Sequence, residues 1–434
     1  MKKVSAVVLG YGDRGARYAD YAMKEPKEFE IIGVIDPNSL KREEAKEKFA
    51  LSDDALYTSE EEFLTKKIKC DLVINATMDE LHYETTMSLL KAGYNVLLEK
   101  PIVNNKAQLM EMYETAKANG CIVMVCHVLR YTLFFSEIKR MIKEGMLGEI
   151  VSMELNEHVG FDHYVNAFVR GKWRNESQCG SSMLLQKCCH DLDLICWLNN
   201  ATMPSQIASF GTLATWVEKN APEGSTEYCY NCPCKDDCIY NAERFEIEKD
   251  FIPFYTWADL HKKLDEITLE EKREFLKRNV YGKCVYKTDM DIVDRQSVSI
   301  NFDNGSIATL NMIGGSCKPG RWMHIVGTKG EVEGRIDEGK FIYRDIDEEI
   351  IVYREKEIDT QTLLQEREHN SHVGGHFGGD YFLMRDLVRY FNGDKTSLSI
   401  TTLEDSINSH LCCYASEESR KNGCIINMKE YGVK

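Results

Sequence analysis

The first 127 residues alternate short apolar runs with longer amphipathic segments. The apolar runs have three to six residues and no strict alternation with polar positions, which is typical of strands buried on both faces of a sheet. They cover residues 4–9, 31–35, 72–76, 96–98 and 122–125. This pattern predicts a parallel sheet.

Segments with helical periodicity lie between these runs, at residues 16–24, 40–49, 83–92 and 106–119. The last two are followed by Gly93 and Gly120, which stand where C-terminal helix caps are expected. Strands that alternate with helices predict a doubly wound α/β domain over residues 1–127.

After residue 150 the pattern changes to β-like runs joined by turn sequences. Hairpins in series predict a mostly antiparallel sheet, with helices near 184–198, 381–390 and 403–419. We therefore expect a second domain of α+β type over residues 128–434, with a polar, cysteine-bearing insertion at about 218–290. The β-like runs are 151–157, 297–302, 307–312 and 323–326, and turn signals lie at 303–305, 328–330 and 337–339.

Composition narrows the class of protein. At 434 residues two domains are the usual outcome. Lys plus Arg number 54 against 70 Asp plus Glu, a net charge of −16, which argues against a nucleic-acid partner. No apolar stretch approaches the roughly 20 residues that span a bilayer, and the apolar start of the chain ends at Gly10 without a signal-peptide cleavage site. We expect a soluble, cytoplasmic protein whose scattered cysteines are mostly reduced.

A glycine-rich sequence follows the first predicted strand and opens the first predicted helix. Its glycines allow a tight turn, approach of the backbone to a pyrophosphate, and close packing of helix on strand. Asp36 ends the second strand, where a carboxylate can bond a ribose 2′-hydroxyl and repels a 2′-phosphate. The sequence therefore predicts a dinucleotide site that prefers NAD to NADP. The residues of the glycine-rich sequence are Gly10, Tyr11, Gly12, Asp13, Arg14 and Gly15.

Glu99, Lys100 and Pro101 stand at the carboxyl end of the fourth predicted strand. Open α/β sheets bind their ligands at this edge. A lysine there can hydrogen-bond a substrate hydroxyl and stabilise the alkoxide that develops from it. The alternative is a surface lysine fixed by a turn proline.

These motifs occur together, and in one order, in a known family. Over residues 1–200 the chain strongly resembles the glucose–fructose oxidoreductase, inositol dehydrogenase and MocA family, and segments 327–330 and 374–380 also resemble that family's second domain. The motifs that carry the resemblance are the glycine-rich sequence, Asp36, Thr77 with His82, Glu99 to Pro101, and His190, Asp191, Leu192 and Asp193.

The resemblance implies a Rossmann domain and a second domain with a large open sheet, which in this family commonly buries one face against a twin. We therefore expect a homodimer or homotetramer. It also implies nicotinamide-dependent oxidation of a sugar or cyclitol hydroxyl at the interface of the two domains. By resemblance the cofactor is further lined by Thr77, His82, Glu99, Lys100, Trp173 and Arg174, and the substrate by Arg130, Tyr131, Lys187, His190, His376 and Asp380. For most of these positions a packing or ion-pair role is an equal alternative.

His190 is the expected acid–base group, with a satisfied structural histidine as the alternative. Family members carry an Asp four residues earlier, where this chain has Gln186, which cannot take a proton. In one continuous helix Gln186 and His190 share a face and Lys187 lies on the neighbouring stripe. Gln186 could hold a hydroxyl or the imidazole, Lys187 could contribute instead, or His190 could act as base alone, since its reference pKa near 6.5 suits that role.

Four cysteines fall within ten residues of the insertion, Cys229, Cys232, Cys234 and Cys238. Cys229 and Cys232 have the spacing of a zinc-ligand pair. Cys238 is the better third ligand, because Cys234 is too close to Cys232, and Cys284 is the candidate fourth. The sequence predicts a structural zinc site there, with reduced loop thiols as the alternative.

The sequence is compatible with three functions. The leading one is an NAD-dependent dehydrogenase of a carbohydrate or cyclitol, in which Lys100 and His190 handle the hydroxyl proton. The second is redox-assisted glycoside cleavage, in which tightly held NAD oxidises a ring hydroxyl, acidifies the neighbouring C–H and lets the aglycone leave by elimination. The third is a non-catalytic dinucleotide sensor, against which the presence of Lys100 and His190 argues.

Overall fold

The computed structural model describes residues 2–347, 352–362 and 376–432. Within these ranges the chain forms two sheets, one of six strands and one of nine. The first contains β1 (Val4–Leu9), β2 (Phe29–Ile35), β3 (Leu56–Tyr57), β4 (Leu72–Asn75), β5 (Val96–Leu98) and β6 (Val123–Val125). The second contains β7 (Ile150–Gly160), β8 (Pro204–Thr212), β9 (Arg295–Phe302), β10 (Ile307–Ser316), β11 (Gly320–Gly327), β12 (Gly330–Arg335), β13 (Lys340–Asp347), β14 (Val352–Asp359) and β15 (Ile426–Asn427).

The first sheet is parallel throughout, in the order β3-β2-β1-β4-β5-β6. Every residue of β4 and β5 is buried, because helices cover both faces. The predicted Rossmann-like domain is confirmed. The order reverses between β1 and β4, and ligands of such sheets bind at the carboxyl ends of this pair. Its helices are α1 (Asp13–Ala19), α2 (Tyr21–Lys24), α3 (Ser39–Phe49), α4 (Glu60–Lys66), α5 (His82–Lys91) and α6 (Lys106–Asn119).

The second sheet has the order β14-β13-β12-β11-β7-β10-β9-β8-β15. Its neighbours are antiparallel except β7 and β10, which run parallel, so the predicted mostly antiparallel sheet is confirmed. Along β9 exposed and buried residues alternate, since helices cover only one face of the sheet there.

Some helices of the second half pack on this sheet, and others belong to the long connection between β8 and β9. None of the helices in the described ranges is long and apolar enough to cross a membrane. They are α7 (Leu133–Lys143), α8 (Phe161–Tyr164), α9 (Glu176–Cys179), α10 (Met183–Lys187), α11 (Cys189–Leu198), α12 (Pro253–Thr256), α13 (Leu269–Leu276), α14 (Gly379–Phe391), α15 (Leu403–Asn422) and α16 (Met428–Tyr431).

The two halves are joined by hydrogen bonds from the end of the chain to the first sheet. The backbone N–H of Val125 in β6 donates to the carbonyl of Thr401, at 2.8 Å. The Ile102 N–H donates to Nε2 of His410 in α15, at 3.0 Å. The second domain is therefore fixed beside the carboxyl ends of the parallel strands, where a cofactor is expected.

The connection from β8 to β9, residues 213–294, contains only short helices in this structure. It has a small core of its own, which includes Trp257, Phe275 and Leu276. The buried Arg170 guanidinium anchors it, pairing with Glu246 at 3.1 Å. This connection contains the predicted insertion.

Candidate functional site

The glycines of the glycine-rich loop allow neighbouring backbone and a ligand to come close to it. Gly10 has φ +86°, and a Cβ on it would stand 2.7 Å from the carbonyl oxygen of Ala76. A Cβ on Gly15 would stand 2.1 Å from the Gly10 carbonyl oxygen. A Cβ on Gly12 would meet nothing within 4 Å, so the open side of the loop lies at Gly12. Two glycines thus serve packing, and the third leaves space for a ligand.

Asp36 is held against this loop at the end of β2. Its carboxylate accepts the backbone N–H of Tyr11 at 2.8 Å and that of Asn38 at 2.8 Å. The two bonds fix the orientation of the carboxylate, and each oxygen keeps a further lone pair for a ligand.

Arg14 ties the loop to the second domain. Its guanidinium donates to Glu99 at 2.7 Å and to Asp380 at 2.7 Å and 3.2 Å, and it contacts the Tyr18 hydroxyl. Nδ1 of His376 lies 3.3 Å from the same guanidinium. Burial acts to raise the pKa of Asp380, but bonds from His376 and Arg14 hold it below its usual range. His376 and Asp380, the expected polyol contacts, therefore lie on the glycine-rich loop; the preceding 374–375 are outside the described residues.

The loops after β4 and β5 are held together by His82. Its ring is fully buried, with Nδ1 2.6 Å from the Pro101 carbonyl oxygen and Nε2 3.1 Å from that of Thr77. The Thr77 hydroxyl donates to the side chain of Asn75 at 2.8 Å. The structure thus gives His82 a bracing position behind Lys100.

Lys100 lies across the domain interface from the segment that carries His190. The Lys100 ammonium donates to the backbone carbonyl of Gln186 at 2.8 Å. His190 is buried, and its Nδ1 has no hydrogen-bond partner among the described residues. Burial first, and then the positive charges of Lys100 and Arg321, hold the pKa of His190 well below its usual value. The imidazole is therefore neutral near pH 7 and can accept a proton.

The expectation of one helix through Gln186 and His190 is wrong. α10 ends at Lys187 and α11 begins at Cys189, because Cys188 leaves helical geometry at φ −97° and ψ 7°. The Gln186 side chain turns back to donate to the carbonyl of Ser181. Only its backbone reaches Lys100.

A cluster of four charges lies beside this pair. Lys187 Nζ is 3.3 Å from Glu157, and Arg321 Nε is 2.9 Å from Glu157 and 2.7 Å from Asp191. Burial raises the pKa of Asp191, and Arg321 opposes that rise. Arg321 and Glu157 face each other on the paired strands β11 and β7. Sequence reasoning missed both, because nothing local marks a cross-strand pair.

Arg130 and Tyr131, expected at the substrate, lie in the domain interface. Arg130 forms a buried two-bond pair with Asp193, at 2.7 and 2.5 Å. The Tyr131 hydroxyl is 3.0 Å from the Thr401 hydroxyl. Both contacts join the domains.

Trp173 borders the cleft between the domains. Lys172 lies over its ring at 4.4 Å and reaches the Met78 sulfur, on the loop after β4, at 3.0 Å. Tyr255, from the β8–β9 connection, packs edge-on against Trp173 at 5.4 Å. Burial and the nearby Asp13 raise the pKa of Tyr255 to about 12. The neighbouring Arg174 instead pairs with Asp289 at 2.6 Å. Tyr255 was not among the residues predicted from the sequence, although it packs on Trp173.

The structure does not support the predicted zinc site. Cys229, Cys232, Cys238 and Cys284 do border one small cavity. In the described part of the chain, however, no three or more His, Cys, Asp or Glu side chains form a group that could hold a metal ion. Arg170 also places a guanidinium nitrogen 3.6 Å from the Cys229 sulfur, and a fixed cation there opposes binding of a second one.

Comparison with family models matches nearly the whole chain. The model described as the oxidoreductase family, NAD-binding Rossmann fold, matches residues 4–127. The model described as the oxidoreductase family, C-terminal alpha/beta domain, matches residues 139–428.

Two curated relatives show how far the likeness extends. The putative oxidoreductase YteT of Bacillus subtilis is 26% identical over 367 residues, 83% of this chain and 82% of that protein. The scyllo-inositol 2-dehydrogenase (NADP(+)) IolW of the same organism is 28% identical over 186 residues, 43% of this chain and 49% of that protein.

Two solved structures share the fold. A levoglucosan dehydrogenase in complex with NADH and levoglucosan has a TM-score of 0.69 at 16% identity, over 98% of this chain and 99% of that one. The WlbA dehydrogenase of Bordetella pertussis, in complex with NADH and UDP-GlcNAcA, has a TM-score of 0.68 at 15% identity, over 98% of both chains.

Proposed function

Because this chain belongs to the glucose–fructose oxidoreductase, inositol dehydrogenase and MocA family of NAD-binding oxidoreductases, we propose that it is a dehydrogenase that oxidises a secondary hydroxyl of a sugar or cyclitol. The dehydrogenases of scyllo-inositol and levoglucosan among its relatives and structural neighbours support this class of substrate. The observation that carries the proposal is the hydrogen bond from the Lys100 ammonium to the Gln186 carbonyl, which joins Lys100 to the segment that carries the buried His190.

The cofactor we propose is NAD. The open side of Gly12 leaves room for a pyrophosphate, and Asp36 stands where an adenosine ribose is expected. An unpaired 2′-phosphate would be repelled by the Asp36 carboxylate, which supports NAD over NADP. When bound, the cofactor supplies a hydride acceptor. Trp173 and Tyr255 border the cleft on its other side.

The protein's own groups handle the hydroxyl. Within the described part of the chain, the Lys100 ammonium donates only to the Gln186 carbonyl. It therefore has an N–H group that can donate to the substrate oxygen. As negative charge develops on that oxygen, the ammonium stabilises it. Neutral His190 accepts the hydroxyl proton. Gln186 has no part in this step, since its side chain points to Ser181.

The test is incubation of the purified protein with NAD and a panel of polyols, sugars and glycosides. The dehydrogenase predicts NADH with the substrate. Release of free aglycone without net NADH would assign redox-assisted glycoside cleavage instead. Neither product, with the dinucleotide bound, would assign a sensor and contradict the proposal.

A further inference from the structure

The four charged side chains beside Lys100 and His190 differ in how far they are exposed. The side chains of Lys187 and Arg321 are 19% and 14% exposed. Those of Glu157 and Asp191, which pair with them, are 3% and 1% exposed. The two cations are therefore the more exposed members of the cluster, and the carboxylates lie beneath them.

Both cations have N–H groups that can donate to a ligand. Arg321 uses Nε and Nη2 on Asp191, and its Nη1 has no hydrogen-bond partner among the residues described. Among the residues described, the Lys187 ammonium has one acidic neighbour, Glu157 at 3.3 Å, and an ammonium has three N–H groups to donate. An ammonium and one edge of a guanidinium are a matched set for an anionic group.

These donors lie close to Lys100 and His190. Lys187 directly follows Gln186, whose carbonyl accepts a hydrogen bond from the Lys100 ammonium, and Arg321 pairs with Asp191, which directly follows His190. The pKa of His190 is lowered by burial and then by Lys100, His127 and Arg321. The pKa of His163, on α8, is lowered by burial and then by Lys187, Lys100 and Arg321. Cations therefore act on both rings, although the protein as a whole carries −16. With Lys100, the cations here outnumber the two carboxylates of the cluster, and a local excess of cations attracts anions even in a protein of negative overall charge.

We propose that the substrate carries a carboxylate, as a uronic acid or its glycoside does, and that Lys187 Nζ and Arg321 Nη1 bind it. This rests on the proposed function, and it names the chemical class of the sugar. The carboxylate, bound on the side of the second sheet, orients the sugar ring so that a neighbouring hydroxyl faces Lys100 and His190. Its charge also offsets the cations that depress the basicity of His190.

The test compares matched pairs of sugars, D-glucuronate with D-glucose and D-galacturonate with D-galactose, as free sugars and as methyl glycosides. We expect kcat/KM to be at least about tenfold higher for the acid of the preferred pair. In Lys187→Met that ratio should fall at least about tenfold, and in Lys187→Arg it should largely persist, because a cation remains. The exposed Lys356→Met, on β14, is the matched control and should leave the ratio unchanged.

Equal kcat/KM for the acid and the neutral sugar would overturn the carboxylate assignment, and so would a higher kcat/KM for a sugar phosphate than for the uronate. Neither result would contradict the proposed dehydrogenase activity. A proportional loss with both sugars in Lys187→Met would place Lys187 in the chemistry instead. Calorimetric titration of the same sugars into the NADH-loaded protein tests binding without turnover. There, no preference for the uronates contradicts the inference, whereas failure to bind NADH contradicts the proposed function.

Discussion

The Lys100 ammonium, at the end of β5 in the first domain, is bound at 2.8 Å by the backbone carbonyl of Gln186 in α10 of the second. A neutral acceptor fixes the position of this lysine without neutralising its charge. Glu99, the nearest acid in sequence, is engaged by Arg14 and Tyr18. Lys100 is therefore a cation oriented across the cleft by both domains.

From this relationship we predict that Lys100→Met lowers kcat at least about 100-fold, because the alkoxide loses its stabilising charge. NADH affinity, measured by fluorescence titration, should change less than about threefold. The exposed Lys91→Met, on α5, is the matched control. A Lys100→Met protein that keeps more than about a tenth of the wild-type rate would remove Lys100 from the mechanism.

Asp36 should set the choice of cofactor. We expect NAD to bind at least about tenfold more tightly than NADP, a difference of about 1.4 kcal/mol. Asp36→Asn keeps an oxygen to accept the Tyr11 N–H but loses the negative charge. The difference in affinity between NAD and NADP should therefore become smaller in this variant. Calorimetry on both proteins measures it, and equal affinities in the wild type would refute the role of Asp36.

Because of His190, kcat/KM should begin to fall only at low pH. Its pKa is lowered by burial and nearby cations, so the neutral, proton-accepting form persists below the usual value near 6.5. We expect kcat/KM to stay flat from pH 7 downward and to fall only below about pH 6.5. His190→Asn should lose most activity together with this limb, whereas the exposed His261→Asn should keep both. An acid limb above about pH 6.5 in the wild type would speak against His190 as the base.

Gly12 and Gly10 should separate ligand binding from folding. In Gly12→Ala the new methyl meets no protein atom, so we expect a melting temperature within about 2 °C of the wild type but NADH affinity at least tenfold weaker. In Gly10→Ala the methyl meets the Ala76 carbonyl in a left-handed backbone, so stability itself should fall. Unchanged NADH binding in Gly12→Ala would place the pyrophosphate elsewhere.

Asp380 should matter for stability through Arg14. Removing one partner of a buried ion pair costs about 3 kcal/mol, so Asp380→Ala should lose about that much in urea unfolding. The pKa of Asp380 is depressed in the folded protein, so this contribution is present above the carboxyl's unfolded pKa and is lost as pH falls below it. The exposed Asp265→Ala is the control. Equal stability of Asp380→Ala and the wild type at pH 7 would show that the pair is dispensable.

The sequence was most informative where structure depends on nearby residues. The runs at 4–9 and 96–98 are strands with those bounds, because unbroken apolar runs are fully covered in a parallel sheet. The two-residue β3 was not predicted, since a pattern needs more positions than it has. The helix break at Cys188 could not be predicted either, because no glycine or proline marks it.

The site divides in the same way. The positions of Gly10 to Gly15, Asp36 and Lys100 at the strand ends of the first sheet could be predicted, because each lies just after a strand. Their roles in binding and catalysis stay predictions. Arg321 and Glu157 could not, because their meeting depends on the register of β11 on β7, strands far apart in sequence. Tyr255 could not either, since it arrives from a connection whose path depends on its own small core.

The central claim is that this chain moves a hydride from a carbinol carbon to NAD with Lys100 and His190 on the hydroxyl. The most direct test offers a substrate found in the sugar panel, deuterated at the carbon to be oxidised, and follows the label by mass spectrometry of the nicotinamide recovered from denatured protein. We predict deuterium in the NADH of the wild type, and a deuterated fraction at least about tenfold lower within one wild-type turnover time in Lys100→Met. Consumption of substrate with no deuterium on the nicotinamide would contradict the account.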